Sequence, residues 1–364
     1  MSSTIGEALK ISIFGESHGE AIGVVMEGLP PGEVIDMKQL GAFLVRRAPG
    51  RSALATLRKE SDAPRFLSGI LGGRVTGSPL CAIIENQDAR SGDYSEFIDR
   101  PRPSHADYPA SVRYRGHADM RGGGHFSGRL TAPLCVAGGI ALQILARRGI
   151  SVGAHLLSVG LAQDRRFDPV NLTLGELLAP AAHAIPTLDQ KAENAMAWEI
   201  EAVAAQGDSV GGVVECAALG VPPGMGEPMF GGVENKIAQM IFGIPAVRGV
   251  EFGTGFSAAS MRGSEHNDPY SMSDHEVKTE TNHHGGALGG LTTGMPVIFR
   301  VAFKPTPSIG IEQRTVNLRD RSNTTLTIAG RHDPCVALRA VPCVEAAAAL
   351  VLLDLLLLSE RIDR

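Results

Sequence analysis

The chain has 364 residues, 43% of them apolar, 20% charged and 5% aromatic, with a formal net charge of −5 at pH 7. At roughly 150 residues per domain, that length allows two domains or one large two-lobed one, and the apolar share excludes a disordered or fibrous chain. The acidic balance excludes nonspecific nucleic-acid binding, which needs a basic surface.

Residues 9–14 alternate as a strand and run into Gly15-Glu16-Ser17-His18-Gly19; 23–28 reads as a second strand, closed by Pro30-Pro31-Gly32. Asp36 predicts the N-cap of a helix over 37–47 that Pro49-Gly50 ends. Residues 66–85 hold two strand-like runs split by Gly72-Gly73 and Gly77. The stretch 91–125 is polar, rich in Arg, Asp, Tyr and Pro, and lacks periodicity, which marks a long functional loop. Residues 130–148 then form a helix apolar nearly all round, the pattern of a helix buried in the centre of a lobe.

A second lobe is expected to start near Ser151. Its elements read as a strand at 152–160, a helix at 189–206, a buried strand at 211–219, a helix at 233–242 and a strand at 247–252. A glycine-rich loop at 282–294, a strand at 296–303 ending at Lys304-Pro305, and a closing helix at 342–361 complete the chain. Strands and helices mix without strict alternation, so the reading is α+β and not a doubly wound sheet. The longest apolar run, 346–358, is interrupted by Asp354 and too short to span a bilayer, and the first twenty residues lack the basic start and apolar stretch of a signal peptide. Five scattered cysteines without a Cys-x-x-Cys pair fit reduced thiols in a cytosol. These features point to a cytoplasmic protein with no membrane partner.

Glycine is in excess: 44 residues, where an average chain of this length has about 25. Tight turns account for some; others suit backbone that approaches a ligand. No GxxxxGK[ST] is present, and the GxGxxA letters at 253–258 precede no helical pattern, which argues against a dinucleotide fold. There is no HExxH, and the adjacent His283 and His284 face opposite ways in extended backbone, so no metal site is expected.

Four polar clusters carry the chemistry. His18 sits in a glycine-flanked loop at a strand end, a place where side chains meet ligands. Arg100-Pro-Arg-Pro-Ser-His-Ala-Asp107 sets two arginines beside His105 on stiffened backbone, and arginine suits carboxylate or phosphate. Arg121-Gly-Gly-Gly-His125-Phe-Ser-Gly-Arg129 precedes the long buried helix, whose free N–H groups favour an anion. Lys304-Pro-Thr-Pro-Ser308 and Gly330-Arg331-His332-Asp333 add cations, with Asp333 either a base or an ion-pair partner. An acidic chain that concentrates Arg47, Arg102, Arg129, Lys304 and Arg331 near His18 and His105 points to a polyanionic ligand and proton transfer near neutral pH.

In their order and spacing these motifs resemble chorismate synthase along essentially the whole chain. They are FGESHG (14–19), RRxPG (46–50), RPxHADY (102–108), DxRGGG (119–124), GVEFGxGF (249–256), GSExND (263–268), GGxxGG (285–290), KPTxS (304–308) and GRHDPC (330–335). The resemblance implies one domain over 1–364, with lobes at 1–150 and 151–364, folded as a β-α-β sandwich around mixed or antiparallel sheets and assembled as a homotetramer. It implies an anti 1,4-elimination of phosphate from 5-enolpyruvylshikimate 3-phosphate, giving chorismate, with reduced FMN required. NADPH would act only indirectly, through an external flavin reductase. His18 would protonate the departing phosphate, His105 the reduced flavin, and Asp333 would assist proton removal from C6. Carried over by motif position, His125, Phe126, Ser127, Ala246, Gly289, Lys304, Pro305, Thr306, Pro307, Ser308 and Arg331 would hold FMN, and Arg47, Arg102 and Arg129 the substrate. The chain departs from the family pattern where it reads RGGGHFSGRLT in place of RGGGRSSARET, and at Ala53, where many members have arginine and only Arg51 stands nearby. The rival reading from the residues alone is a metal-dependent phosphate-ester hydrolase.

Overall fold

The computed structural model describes residues 3–49, 54, 62–86, 97–273, 275–328 and 333–362. Arg51, Ala53 and Arg331 lie outside them. The first sheet is built from β1 (Thr4–Ile5), β2 (Lys10–Gly15), β3 (Ala21–Glu27), β4 (Arg65–Ser68) and β5 (Leu80–Glu85), in the order β1-β2-β3-β5-β4. The second comprises β6 (Ser151–Val159), β7 (Ala162–Gln163), β8 (Gly212–Leu219), β9 (Val247–Phe252) and β10 (Val297–Phe303), in the order β9-β10-β8-β6-β7. Every neighbouring pair in both sheets is antiparallel, so neither sheet is mixed.

Between the sheets lie α1 (Met37–Arg47), α3 (Thr131–Arg147), α5 (Val233–Phe242) and α6 (Ala337–Ile362); α2 (Asp107–Arg113) and α4 (Gln190–Ala205) lie elsewhere in the fold. Helix α3 packs on the first sheet, α6 on the second, and the two pack on each other, which makes the β-α-β sandwich. One contiguous apolar core runs through both halves, from Ala8 to Leu357.

Local sequence explains the central contacts. Asp36 caps α1 as expected, its carboxylate accepting from the N–H groups of Lys38 and Gln39. A Cβ on Gly138 would lie 2.2 Å from that of Ala346, so glycine is what lets α3 and α6 cross in contact; Gly139 does the same against Leu40 of α1. The buried acid of the closing helix also has a partner. Asp354 accepts backbone N–H groups from Glu7, Ala8 and Leu9, tying the start of the chain to its end.

Helix α6 begins five residues before the expected start and carries Pro342 inside it. Proline removes the donor that the carbonyl four residues back would use, at a cost of about 3 kcal/mol in a helix interior. Burial of Leu338, Val341, Cys343 and Val344 on both sides of the proline offsets that cost. Both α3 and α6 belong to helices long and apolar enough to cross a membrane, and both are 89% buried inside the protein along those windows. The 91–125 stretch also holds more structure than expected: it contains α2 and ends in a glycine turn in which Gly122, Gly123 and Gly124 all have positive φ.

On the second sheet, four charged side chains stand in cross-strand register: Glu251 opposite Arg300, Arg300 opposite Glu215, and Glu215 opposite His155. His155 bonds Asp164 through Nδ1 and Glu215 through Nε2, both at 3.1 Å. Asp164 in turn accepts the N–H groups of Leu188 and Asp189, which ties the row to the segment entering α4.

Candidate active site

Segments from both halves of the chain meet around one cavity of about 590 Å³, within the range of small-molecule and cofactor sites. Its wall is formed by Arg47 at the end of α1, residues 102–106 before α2, and the turn from Gly122 to Thr131 that enters α3. The wall is completed by the 242–248 link between α5 and β9, the 303–308 stretch leaving β10, and Asp333 with the start of α6.

Six cationic side chains line it: Arg47, Arg102, Arg129, Arg248, Lys304 and Arg339. Three carboxylates answer them. Asp62 bridges Arg47, at 2.7 Å, and Arg129, both deeply buried. Asp107 takes Arg102 through Nε at 2.7 Å and Nη2 at 2.8 Å. Asp333 takes Arg339 at 2.7 Å. The surplus is three positive charges in a partly dehydrated space, where an anion binds far more strongly than in water. Burial and the neighbouring charge of Arg248 push the Lys304 ammonium below its usual range, and its Nζ donates to the Ser104 carbonyl at 2.7 Å.

His105 is held at the wall. Its Nδ1 lies 2.6 Å from Asp107 and 3.1 Å from the Arg102 Nη2; the shorter contact is to the carboxylate, which can only accept, and it places the proton on Nδ1. Nε2 then faces the glycine turn, 3.4 Å from where a Cβ on Gly123 would stand. Burial alone would raise the pKa of Asp107; bonds from Arg102 and His105 outweigh it and hold the carboxyl well below its usual range.

His18 sits one layer back. It is buried, and a Cβ on Gly122 would lie 2.6 Å from its Nε2. Gly122 has φ of 60°, in the left-handed region where glycine carries no penalty. The loop docks through the Ser17 N–H on the Gly124 carbonyl, while Asn86 joins it to Arg129, donating to the carbonyls of Glu16 and Gly19 and accepting from the Arg129 Nε. His18 therefore borders the cavity through Gly122 and is not part of its lining.

The other expected residues fall into two groups. Phe126, Ser127, Ala246, Lys304, Thr306, Pro307 and Ser308 line the cavity. Ser127 also caps the turn before α3, accepting the Arg129 N–H. Ala246 is a non-glycine residue at φ 73°, and Ser104 across the wall has φ of 57°; such backbone strain concentrates at functional sites. His125 lines the cavity too, but Nδ1 bonds the Gly15 carbonyl and Nε2 the Ser3 hydroxyl, each at 2.8 Å. Those bonds occupy both ring nitrogens. Arg121 is drawn aside by Asp119.

Pro305 turns back against Gly211 and is not in the lining. Gly289 is displaced further. It lies in the turn of a small ribbon, Ala287–Leu288 with Leu291–Thr292, whose Gly290 carbonyl accepts the Val233 N–H at the start of α5. The cavity touches the other end of α5, about 15 Å of helix away. Among the residues that sequence patterns did not single out are Asp62, Asn86, Arg248 and Arg339. The orienting role of Asp107 was open to view, two positions after His105. No cluster of three or more His, Cys, Asp or Glu side chains that would hold a metal ion occurs among the described residues.

A cationic cavity with a carboxylate-oriented histidine at its wall, set between the helices and loops of a β-α-β sandwich, defines an enzyme that handles a polyanionic small molecule. The Chorismate synthase family matches residues 9–357. The chain is 49% identical over 352 residues to the chorismate synthase of Thermococcus kodakarensis, covering 97% of each, and 45% identical over 367 residues to that of Lancefieldella parvula, covering 98% of this chain and 96% of the relative. A solved structure titled "Crystal Structure of Chorismate Synthase" superposes with a TM-score of 0.77 at 27% identity, covering 98% of this chain and 93% of the other. The chain belongs to the chorismate synthase family, lyases of the shikimate pathway of aromatic amino-acid biosynthesis.

The family implies a flavin cofactor, and the residues present fit one. The volume suffices, and Gly128 leaves open backbone with nothing within 4 Å of a Cβ built there. Lys304 and Arg248 supply charge for a phosphate.

Proposed function

We propose that this chain removes phosphate from 5-enolpyruvylshikimate 3-phosphate by anti 1,4-elimination, giving chorismate, with FMN bound in reduced form. The observation that carries the reading is the cavity's surplus of positive charge beside a histidine of fixed tautomer. A substrate with one phosphate and two carboxylates needs such a charge load.

Arg47 and Arg129, locked in place by Asp62, would hold the substrate's anionic groups with Arg102 and Arg339. His105 presents Nε2 toward the cavity and can hold or deliver a proton there, with Asp107 stabilising the charged ring. His18, beside Gly122, is the group for the proton on the departing phosphate. Asp333, fixed by Arg339, is the carboxylate base at the wall. Ser127, Ala246 and 304–308 would cradle the FMN. Reduced flavin supplies electron density that weakens the C–O bond; the protein orients the partners and excludes water.

NADPH enters only as an indirect source of electrons through an external flavin reductase. The working form is a cytoplasmic homotetramer. The test is anaerobic incubation of the purified chain with 5-enolpyruvylshikimate 3-phosphate and chemically reduced FMN. Chorismate and inorganic phosphate should appear in equal amounts. A folded preparation giving neither overturns the reading, and flavin-independent phosphate release with a stoichiometric divalent ion would make it a hydrolase.

A further inference from the structure

The crossing of α3 and α6 has a chemical consequence. One turn before the Gly138–Ala346 contact on each helix stands a cysteine, Cys135 on α3 and Cys343 on α6, and their sulfurs lie 3.8 Å apart. Both cysteines are buried, and of the two Cys343 alone belongs to the cavity lining. The Cys343 thiol also lies 3.5 Å from the Arg339 carbonyl.

The two thiols sit in unequal environments. Hydrogen bonding with Cys135 draws the Cys343 thiol down; burial opposes this, and Arg47, Thr131 and Arg339 lower it further. Burial pushes the Cys135 thiol up. The cysteine that borders the cavity is thus the one favoured as thiolate, and the sulfur 3.8 Å from it is placed to displace a group from it.

We propose that Cys135 and Cys343 are a redox-active dithiol, oxidised to a disulfide by a hydroperoxide that enters the cavity. The Cys343 thiolate attacks one peroxide oxygen, the O–O bond breaks, the leaving oxygen takes up the proton that Cys343 lost on ionising and departs as water or an alcohol, and Cys343 becomes a sulfenic acid. The Cys135 sulfur then attacks the Cys343 sulfur, and the displaced hydroxide takes the Cys135 proton as water. The two thiols lose two electrons and two protons, and the peroxide receives both. The new bond, about 2.05 Å long, staples α3 to α6 and draws the Cys343 sulfur out of the cavity wall.

The test treats the full reduced chain with a small excess of hydrogen peroxide and maps it by tryptic mass spectrometry. Peptides 130–147 and 340–361 should appear cross-linked, two hydrogens lighter than their sum, and titratable thiols should fall from five to three per chain. Cys135→Ser should abolish the cross-link and let Cys343 proceed to sulfinic acid; Cys343→Ser should keep all four remaining thiols. Survival of all five thiols in the wild-type chain, or a cross-link joining other cysteines, overturns the proposal without reliance on either variant. Equally fast loss of thiols from Cys343→Ser also overturns it, because Cys343 would then not be the point of attack.

Discussion

His105 donates a hydrogen bond from Nδ1 to Asp107 at 2.6 Å, and Arg102 grips the same carboxylate through Nε and Nη2. The aspartate thereby sets the tautomer of the histidine and keeps Arg102 pointed into the cavity. An asparagine there can donate to Nδ1 instead of accepting from it, which puts the ring proton on Nε2 and presents the ligand with the wrong tautomer. Asp107→Asn should lower kcat on the order of 100-fold, the scale of positioned proton transfer, and shift the pH profile of kcat. His105→Ala should lose as much kcat while substrate binding changes little. A wild-type pH profile in Asp107→Asn would show that the aspartate serves only the fold.

Gly122 offers a test of His18 that leaves the histidine in the chain. A methyl at this position would stand 2.6 Å from the His18 Nε2 and 2.9 Å from the Ser17 hydroxyl, on backbone already in the left-handed region. Gly122→Ala should therefore push the imidazole aside, lowering kcat about 100-fold with KM changed much less. The strain should also cost on the order of 1–2 kcal/mol of stability. Wild-type turnover in a folded Gly122→Ala chain would remove His18 from the proton path.

Arg47 and Arg129 share Asp62, which makes their effects non-additive. Either arginine replaced by alanine removes one charged partner of the ligand, worth about 1.5–3 kcal/mol, and substrate affinity should fall roughly 10- to 100-fold. Asp62→Ala should act differently. It leaves two buried guanidinium groups facing each other, so thermal stability should drop, by about 3–5 kcal/mol if the loss matches that of other broken buried pairs. Calorimetry and substrate titration of the three variants separate the two effects; equal Tm for wild type and Asp62→Ala would contradict the bridge.

The sequence made much of this fold legible because the signals were local. Asp36 before 37–47 and Pro49 after it define α1, and the unbroken apolar run into Arg148 defines α3. Pro342 misled as the expected first residue of the closing helix, because proline is tolerated in a first turn and costly in an interior, and here packing between the two sheets outweighs that cost. The cationic loops were visible as composition. Their carboxylate partners were not: Asp62 meets Arg47 fifteen positions away and Arg129 sixty-seven positions away, and only the fold brings them together. Gly289 shows the converse. Motif position assigned it to the flavin, yet within this chain the length of α5 separates it from the cavity.

The His155 row yields a pH-dependent prediction away from the site. Burial would lower the pKa of this histidine, but bonds with Asp164 and Glu215 outweigh burial and raise it. A raised folded-state pKa contributes stability that is fully present below the unfolded value, about 6.5, and is lost as pH climbs through the folded one. Asp164, whose pKa is lowered, contributes on the other side, with stability lost only in strong acid. His155→Gln removes the positive charge between two fully buried carboxylates, so near pH 6 it should cost about 3 kcal/mol or more, a fall in Tm of several degrees. The gap to wild type should then narrow as pH rises above the ordinary histidine range and the wild-type ring loses its proton. Melting curves of both proteins across pH 6–9 decide the matter: a gap that stays constant would mean that the ring is not charged in the folded protein and that the row holds the sheet by neutral hydrogen bonds alone.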